Sequence, residues 1–125
     1  MELKAKLYLV DEEGNKFMGI GVLWLLQHIR EHKSLRKGSS VLGISYSKAF
    51  AMIRNLEKSL GVAILDRKKG GARRDGATLT PFAEQFIMLY ETFEQEAKLT
   101  LDRPYEQFRE DLSLLFDKDE DHGGL

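Results

Sequence analysis

Apolar residues at Ala49, Ile53, Leu56 and Leu60 are separated by four, three and four positions, the repeat that lines one side of an α-helix. That helix leaves Tyr46, Ser47, Phe50, Arg54 and Lys58 on its outer side. Ser45 stands where an N-cap accepts from the orphan amides of a first turn, and Gly61 closes the helix at its other end. Just upstream, Gly43 can take the left-handed conformation that ends a helix sharply, so residues 35–42 read as a short preceding helix with Ser34 as its cap. Val22, Leu25, Leu26 and Ile29 have helical spacing as well and predict a first helix over residues 19–33.

The pattern differs on either side of these three helices. Residues 3–10 alternate and then run apolar, as a strand does; 11–15 form a turn, and Lys16-Phe17-Met18 returns as a second strand. After Gly61, Val62-Ala63-Ile64-Leu65 is short and apolar, and Ala77-Thr78-Leu79-Thr80 can pair with it across a loop rich in glycine and arginine. Thr80-Pro81 then signals a long helix, threonine as cap and proline at the first helical position. Its apolar positions are Phe82, Phe86, Leu89, Tyr90, Phe93 and Ala97. A break is expected at Asp102-Arg103-Pro104, then one more amphipathic segment through Tyr105, Phe108, Leu112 and Leu115.

The predicted fold is mainly α with a small β-wing, a winged helix-turn-helix followed by a long C-terminal dimerisation helix. Residues 1–80 make the DNA-binding domain, 81–116 the dimerisation region, and 117–125 an acidic tail expected to be disordered. At 125 residues the chain suits one domain with a real core. It has no cysteine, which excludes disulfides and thiolate chemistry. The longest apolar run, from Ile20 to Leu26, is too short to span a bilayer, and Met1-Glu2-Leu3-Lys4 lacks the layout of a signal peptide. A cytoplasmic protein without a membrane partner is expected.

Charge sharpens this picture. The net charge of −1 conceals a basic middle and an acidic end. Between Arg30 and Asp75 there are twelve basic residues and four acidic ones; after Asp75 there are twelve acidic and four basic. A basic module of this kind suits a polyanion.

At this level of detail the chain resembles a known family. Ser34-Leu35-Arg36-Lys37 followed by Leu42-Gly43-Ile44-Ser45-Tyr46-Ser47-Lys48-Ala49 is similar to the N-terminal winged helix-turn-helix of the ModE family, the molybdate-responsive bacterial transcription regulators. Gly70-Gly71, Gly76-Ala77, Leu79-Thr80 and Glu84 match that family's glycine-rich wing and following helix. A more distant similarity, through Ile53, Leu56-Glu57, Leu60-Gly61, Leu65 and Leu79-Thr80, runs to LysR-type regulators. The resemblance covers residues 19–90 and implies double-stranded DNA as partner and a homodimer as the working form. It does not reach the molybdate-binding domains of full-length ModE proteins, so molybdate is not expected to bind this chain. Where those families place paired alanines this chain has Gly38-Ser39-Ser40, and a glycine inside a helix costs about 1 kcal/mol against alanine, so the second helix is expected to be short or distorted.

The DNA-facing residues are expected to be Ser34, Arg36, Ser45, Tyr46, Ser47, Lys48, Phe50 and Arg54, with Lys68, Lys69, Arg73 and Arg74 on the wing. Phe50 is unusual on an outer face; it suits a thymine methyl or packing against a neighbouring segment. A dimer interface is expected at Phe82, Phe86, Leu89, Tyr90 and Phe93, because a helix of about 20 residues spans roughly 30 Å, more than one small domain covers. The rival reading is a winged-helix module that docks protein and not DNA. No catalytic constellation or cofactor site is found. Gly71 to Gly76 lacks the Gly-Lys-Ser/Thr continuation of a phosphate loop, and Asp117, Asp119 and Asp121 lack the glycine and closing glutamate of a calcium loop. His28 and His32, four apart, have a metal-compatible spacing, but no third ligand is evident and no metal is expected.

Overall fold

A computed structural model describes residues 1–66 and 77–121. Strands β1 (Tyr8–Val10) and β2 (Lys16–Gly19) form an antiparallel hairpin, with Leu9 opposite Met18 and a bulge between Leu9 and Val10. Only the end of the predicted first strand is paired, since β2 is four residues long and offers no partner to residues 3–7. Helices α1 (Ile20–His32), α2 (Leu35–Leu42) and α3 (Tyr46–Leu60) follow. Strands β3 (Leu65–Asp66) and β4 (Thr78–Leu79) pair antiparallel, Leu65 opposite Leu79, and precede α4 (Pro81–Leu99) and α5 (Asp102–Asp121).

The chain divides into two compact units, one of residues Lys6–Tyr90 and one of Met1–Ala5 with the stretch from Glu91 onward. In the first, Met18 of β2, Val22, Leu23, Leu25, Leu26 and Ile29 of α1, Leu35 of α2, and Ala49, Ile53 and Leu56 of α3 are buried together. Ile64, Leu65, Ala77, Ala83, Ile87 and Tyr90 complete this core. The stripe read from α3 is therefore its inward face, with Leu60 half-buried at the end. The unit closes at Tyr90 and not at Thr80, because the first ten residues of α4 bury Ala83, Ile87 and Tyr90 against it.

Helix α2 is short, eight residues, as expected, and packing explains its glycine: a Cβ at Gly38 would stand 3.2 Å from Ile29 Cγ1 and 3.4 Å from the Ile29 backbone nitrogen. Gly38 costs helix propensity but lets α2 lie close against α1, and Ser39 turns its hydroxyl inward to donate to the Arg36 carbonyl at 2.8 Å. The acidic segment is also helical where it was expected to be disordered, since α5 continues through residues 117–121. No glycine or proline occurs between Tyr105 and Gly123, and apolar residues run on to Phe116, so nothing stops the helix earlier. Residues 122–125 lie outside the described ones. In this second unit Thr100 Oγ1 donates to the Ala97 carbonyl at 2.6 Å as α4 ends, and Phe108, Leu114, Leu115 and Phe116 are exposed along α5.

Candidate nucleic-acid interface

The turn between α2 and α3 is built from caps. Gly43, at φ 72°, donates its N–H to the Ser40 carbonyl while Ile44 donates to that of Ser39, so the last carbonyls of α2 are satisfied as the chain reverses. Ser34 Oγ accepts from the Lys37 amide at 3.0 Å and Ser45 Oγ from the Lys48 amide at 3.1 Å, which starts α2 and α3 at the predicted residues. A hydroxyl that accepts still carries its own proton, so the Ser45 cap retains a donor for a phosphate oxygen.

From that turn, α3 presents Tyr46, Ser47, Lys48, Phe50, Arg54 and Lys58 to solvent. The aromatic members are not scattered. Tyr46 stacks on Phe50 with ring centroids 6.3 Å apart and planes 25° from parallel. The Arg36 guanidinium, from α2, lies over the Tyr46 ring at 4.6 Å, and that of Arg54 over Phe50 at 5.8 Å. Arg36, Tyr46, Phe50 and Arg54 thus form a ladder of two stacked rings with a cation at each end, each exposed cation–ring contact worth about 0.5–1 kcal/mol. This places Phe50: its ring supports Tyr46 and Arg54 while remaining 36% exposed. The ladder also holds the Arg36 guanidinium beside the helix start, where backbone amides and the positive end of the helix dipole favour an anion, and that of Arg54 about two turns further along the same face.

The base of the wing is attached to the same helix. Glu57, on α3, extends a carboxylate oxygen that accepts the Ile64 amide at 2.9 Å and the Leu65 amide at 3.4 Å. On the returning side, Thr80 donates its hydroxyl to the Ala63 carbonyl at 2.8 Å and its amide to that of Ile64 at 2.9 Å. The same Thr80 oxygen accepts from the Ala83 amide at 3.2 Å, capping α4 as predicted. Ala77, just before β4, donates to the Lys33 carbonyl at the end of α1. The sequence marks Glu57 as an acid in a basic region and as part of the LysR similarity, but does not reveal this clasp. Lys68, Lys69, Arg73 and Arg74 lie outside the described residues.

The expected interface stripe on α4 separates into two sets. Phe82, Leu89 and Phe93 are exposed, whereas Phe86 is half-buried against the core and Tyr90 is 3% exposed. The Tyr90 hydroxyl donates to the Leu7 carbonyl at 3.3 Å. Tyr90 shares a face with Ala83 and Ile87, so it belongs to the interior and not to an open stripe. On α1, Glu31 joins His28 and His32, a third donor that the spacing of the histidines alone did not suggest.

Residues 21–84 match the family model described as bacterial regulatory helix-turn-helix protein, lysR family. The transcriptional regulator ModE of Yersinia pestis is 34% identical over 80 residues, which cover 62% of this chain and 30% of that protein. The DNA-binding transcriptional dual regulator ModE of Escherichia coli K12 is 32% identical over 71 residues, covering 57% of this chain and 27% of that one. The matched part of the chain therefore spans less than a third of the length of either relative. Among solved structures, the CbnR DNA-binding domain in complex with DNA superposes with a TM-score of 0.56 at 22% identity, over 72% of this chain and 98% of that one. Full-length BenM gives 0.51 at 24% identity, over 67% of this chain and 26% of its own. These two share its fold.

Proposed function

The chain belongs to the lysR family of bacterial regulatory helix-turn-helix proteins, and we propose that it binds double-stranded DNA as a sequence-specific transcription regulator. The observation that carries this reading is the outer face of α3. A capped helix start, two exposed basic residues at Lys48 and Arg54, and the cation–ring ladder from Arg36 to Arg54 fit a major groove in shape and charge. One of the proteins sharing the fold is a DNA complex, and the similar ModE proteins are named as transcriptional regulators. Both support the assignment.

In this reading α3 enters the major groove, with Tyr46, Ser47, Lys48, Phe50 and Arg54 at the base edges and phosphates. Ser34, Arg36 and Ser45 hold the flanking backbone, and the basic residues Lys68, Lys69, Arg73 and Arg74 lie along the adjacent groove. The working form is a homodimer, whose paired recognition helices read an inverted repeat. The likeness to ModE lies in the helix-turn-helix region, so what carries over is a way of binding DNA; no molybdate site and no catalytic activity are proposed. No helix among the described residues is long and apolar enough to cross a membrane, and we take the protein to act in the cytoplasm.

Selection of bound duplexes from a random pool, followed by titration of the best sequence at several salt concentrations, tests the proposal. A convergent motif is expected, with affinity falling steeply as salt rises because phosphate contacts release counterions. A folded protein that retains no duplex at low salt would overturn the proposal.

A further inference from the structure

His28, Glu31 and His32 occupy the C-terminal end of α1, and their donor atoms converge on one side of it. The Nδ1 of His28 stands 3.8 Å from a Glu31 carboxylate oxygen, and the Nε2 of His32 stands 3.9 Å from the same oxygen. One donor atom from each residue lies within 4.8 Å of the other two. The imidazole rings, one helical turn apart, are stacked 6.1 Å centre to centre and only 16° from parallel.

The environment of His28 adds an independent observation. Its Nδ1 is shielded from solvent and has no hydrogen-bond partner among the described residues. At 3.8 Å the carboxylate is too far to serve as one. A buried polar atom left unpaired is costly, and this one faces two further metal-type donors. Donors around a four-coordinate ion with bonds of about 2.0–2.2 Å sit about 3.3–3.5 Å apart. The separations of 3.8 and 3.9 Å to Glu31 need to close by about half an ångström, which its exposed side chain can supply, and the two imidazole donors, within 4.8 Å of one another, close the rest by rotation of the rings. Position favours a cation as well, because the unpaired carbonyls of a helix's last turn carry partial negative charge. The neighbouring Arg30 is directed elsewhere, to Glu84 at 3.7 Å.

We infer that His28, Glu31 and His32 form a binding site for one divalent transition-metal ion, with two imidazole nitrogens, one carboxylate oxygen and a coordination position open to water. Imidazole donors select ions of the zinc, nickel and copper class over magnesium or calcium. Such an ion staples the end of α1 immediately before Lys33, whose carbonyl accepts the Ala77 amide next to β4. Its consequence is structural: the last turns of α1 are bridged to one another, so the helix end that carries the Lys33 carbonyl is held against fraying. This inference does not depend on DNA binding.

The test is calorimetric titration of the tag-free full chain with ZnCl2, alongside thermal unfolding with and without the salt. One Zn2+ per chain is expected, with a Tm that rises with the logarithm of free Zn2+ and does not respond to MgCl2. Losing a direct ligand should weaken binding at least as much as losing an outer-shell partner does, about 10–100-fold, so His32→Ala and Glu31→Gln should each fall by that factor. His122→Ala removes the remaining histidine of the chain and should leave binding unchanged. Glu31 is exposed, so Glu31→Gln tests the site even should His28→Ala not fold. Absence of binding by the wild-type chain, or undiminished binding by His32→Ala and Glu31→Gln, would overturn the assignment.

Discussion

Glu57 holds Ile64 in place: its carboxylate accepts the Ile64 amide at 2.9 Å from seven residues earlier in the chain. The bond crosses the reversal at Gly61, whose φ of 69° turns the chain out of α3 and back alongside it. One carboxylate therefore ties α3 to the start of β3, with the Leu65 amide at 3.4 Å as a second donor.

Removing that clasp should be measurable in both stability and binding. A hydrogen bond to a charged group contributes about 1.5–3 kcal/mol, and Glu57 is half-buried, so Glu57→Ala should lower unfolding free energy by about 1–2 kcal/mol in urea titration. Glu57→Gln keeps an acceptor oxygen and should lose less. If the two variants are equally stable, the carboxylate is not what holds the strand.

How far the chain disclosed its structure beforehand depends on the reach of each interaction. The caps at Ser34, Ser45 and Thr80 were legible because each side chain bonds an amide three residues ahead. The inward face of α3 was legible because a helical repeat is a local pattern. Glu57 was not, since its partners lie across a chain reversal and a lone acid reads as surface charge. The contact of Arg36 with Tyr46 depends on how α2 meets α3, and spacing within either helix does not contain that. Tyr90 falls in the aromatic stripe by its spacing of four from Phe86, yet its hydroxyl partner, Leu7, is 83 residues away.

Gly38 gives a second prediction of the same tertiary kind. Because an added Cβ already meets Ile29 Cγ1 at 3.2 Å, Gly38→Leu should overpack the contact between α1 and α2 and cost about 1–3 kcal/mol. Gly38→Ala gains about 1 kcal/mol of helix propensity against a much smaller clash and should change stability far less. Thermal unfolding of both variants decides this. A Gly38→Leu protein as stable as wild type would mean that the helices are not held at this distance.

The exposed face of α3 and the wing should fail differently when their charges are removed. Replacing Lys48 and Arg54 together with alanine should abolish most discrimination between the selected motif and random duplex, about 1–3 kcal/mol for each lost base contact. Replacing Arg73 and Arg74 should weaken both duplexes by similar factors and flatten the salt slope by about one unit for each lost phosphate contact. Fluorescence anisotropy with the two duplexes at three salt concentrations separates these outcomes. Discrimination retained in the Lys48/Arg54 double variant would remove α3 from the base edges.

The proposed homodimer turns on the part of α4 that the core leaves uncovered. Leu89 is 72% exposed and Phe93 48%, and with Phe82 and Phe86 they recur at intervals of four, three and four. That spacing is the seam of a two-helix coiled coil. Phe86 packs partly on the core, so a charge there would damage the fold itself; Leu89 and Phe93 are the cleaner probes. The wild-type chain should scatter light as a dimer at micromolar concentration. Leu89→Glu and Phe93→Glu should scatter as folded monomers, because an unpaired carboxylate buried in an apolar seam is prohibitively desolvated. Each monomer should bind one half of an inverted repeat with the weak affinity of a single recognition helix, whereas the wild type engages both halves at once. A wild-type monomer that binds the full repeat tightly would show instead that Leu89 and Phe93 face some other surface.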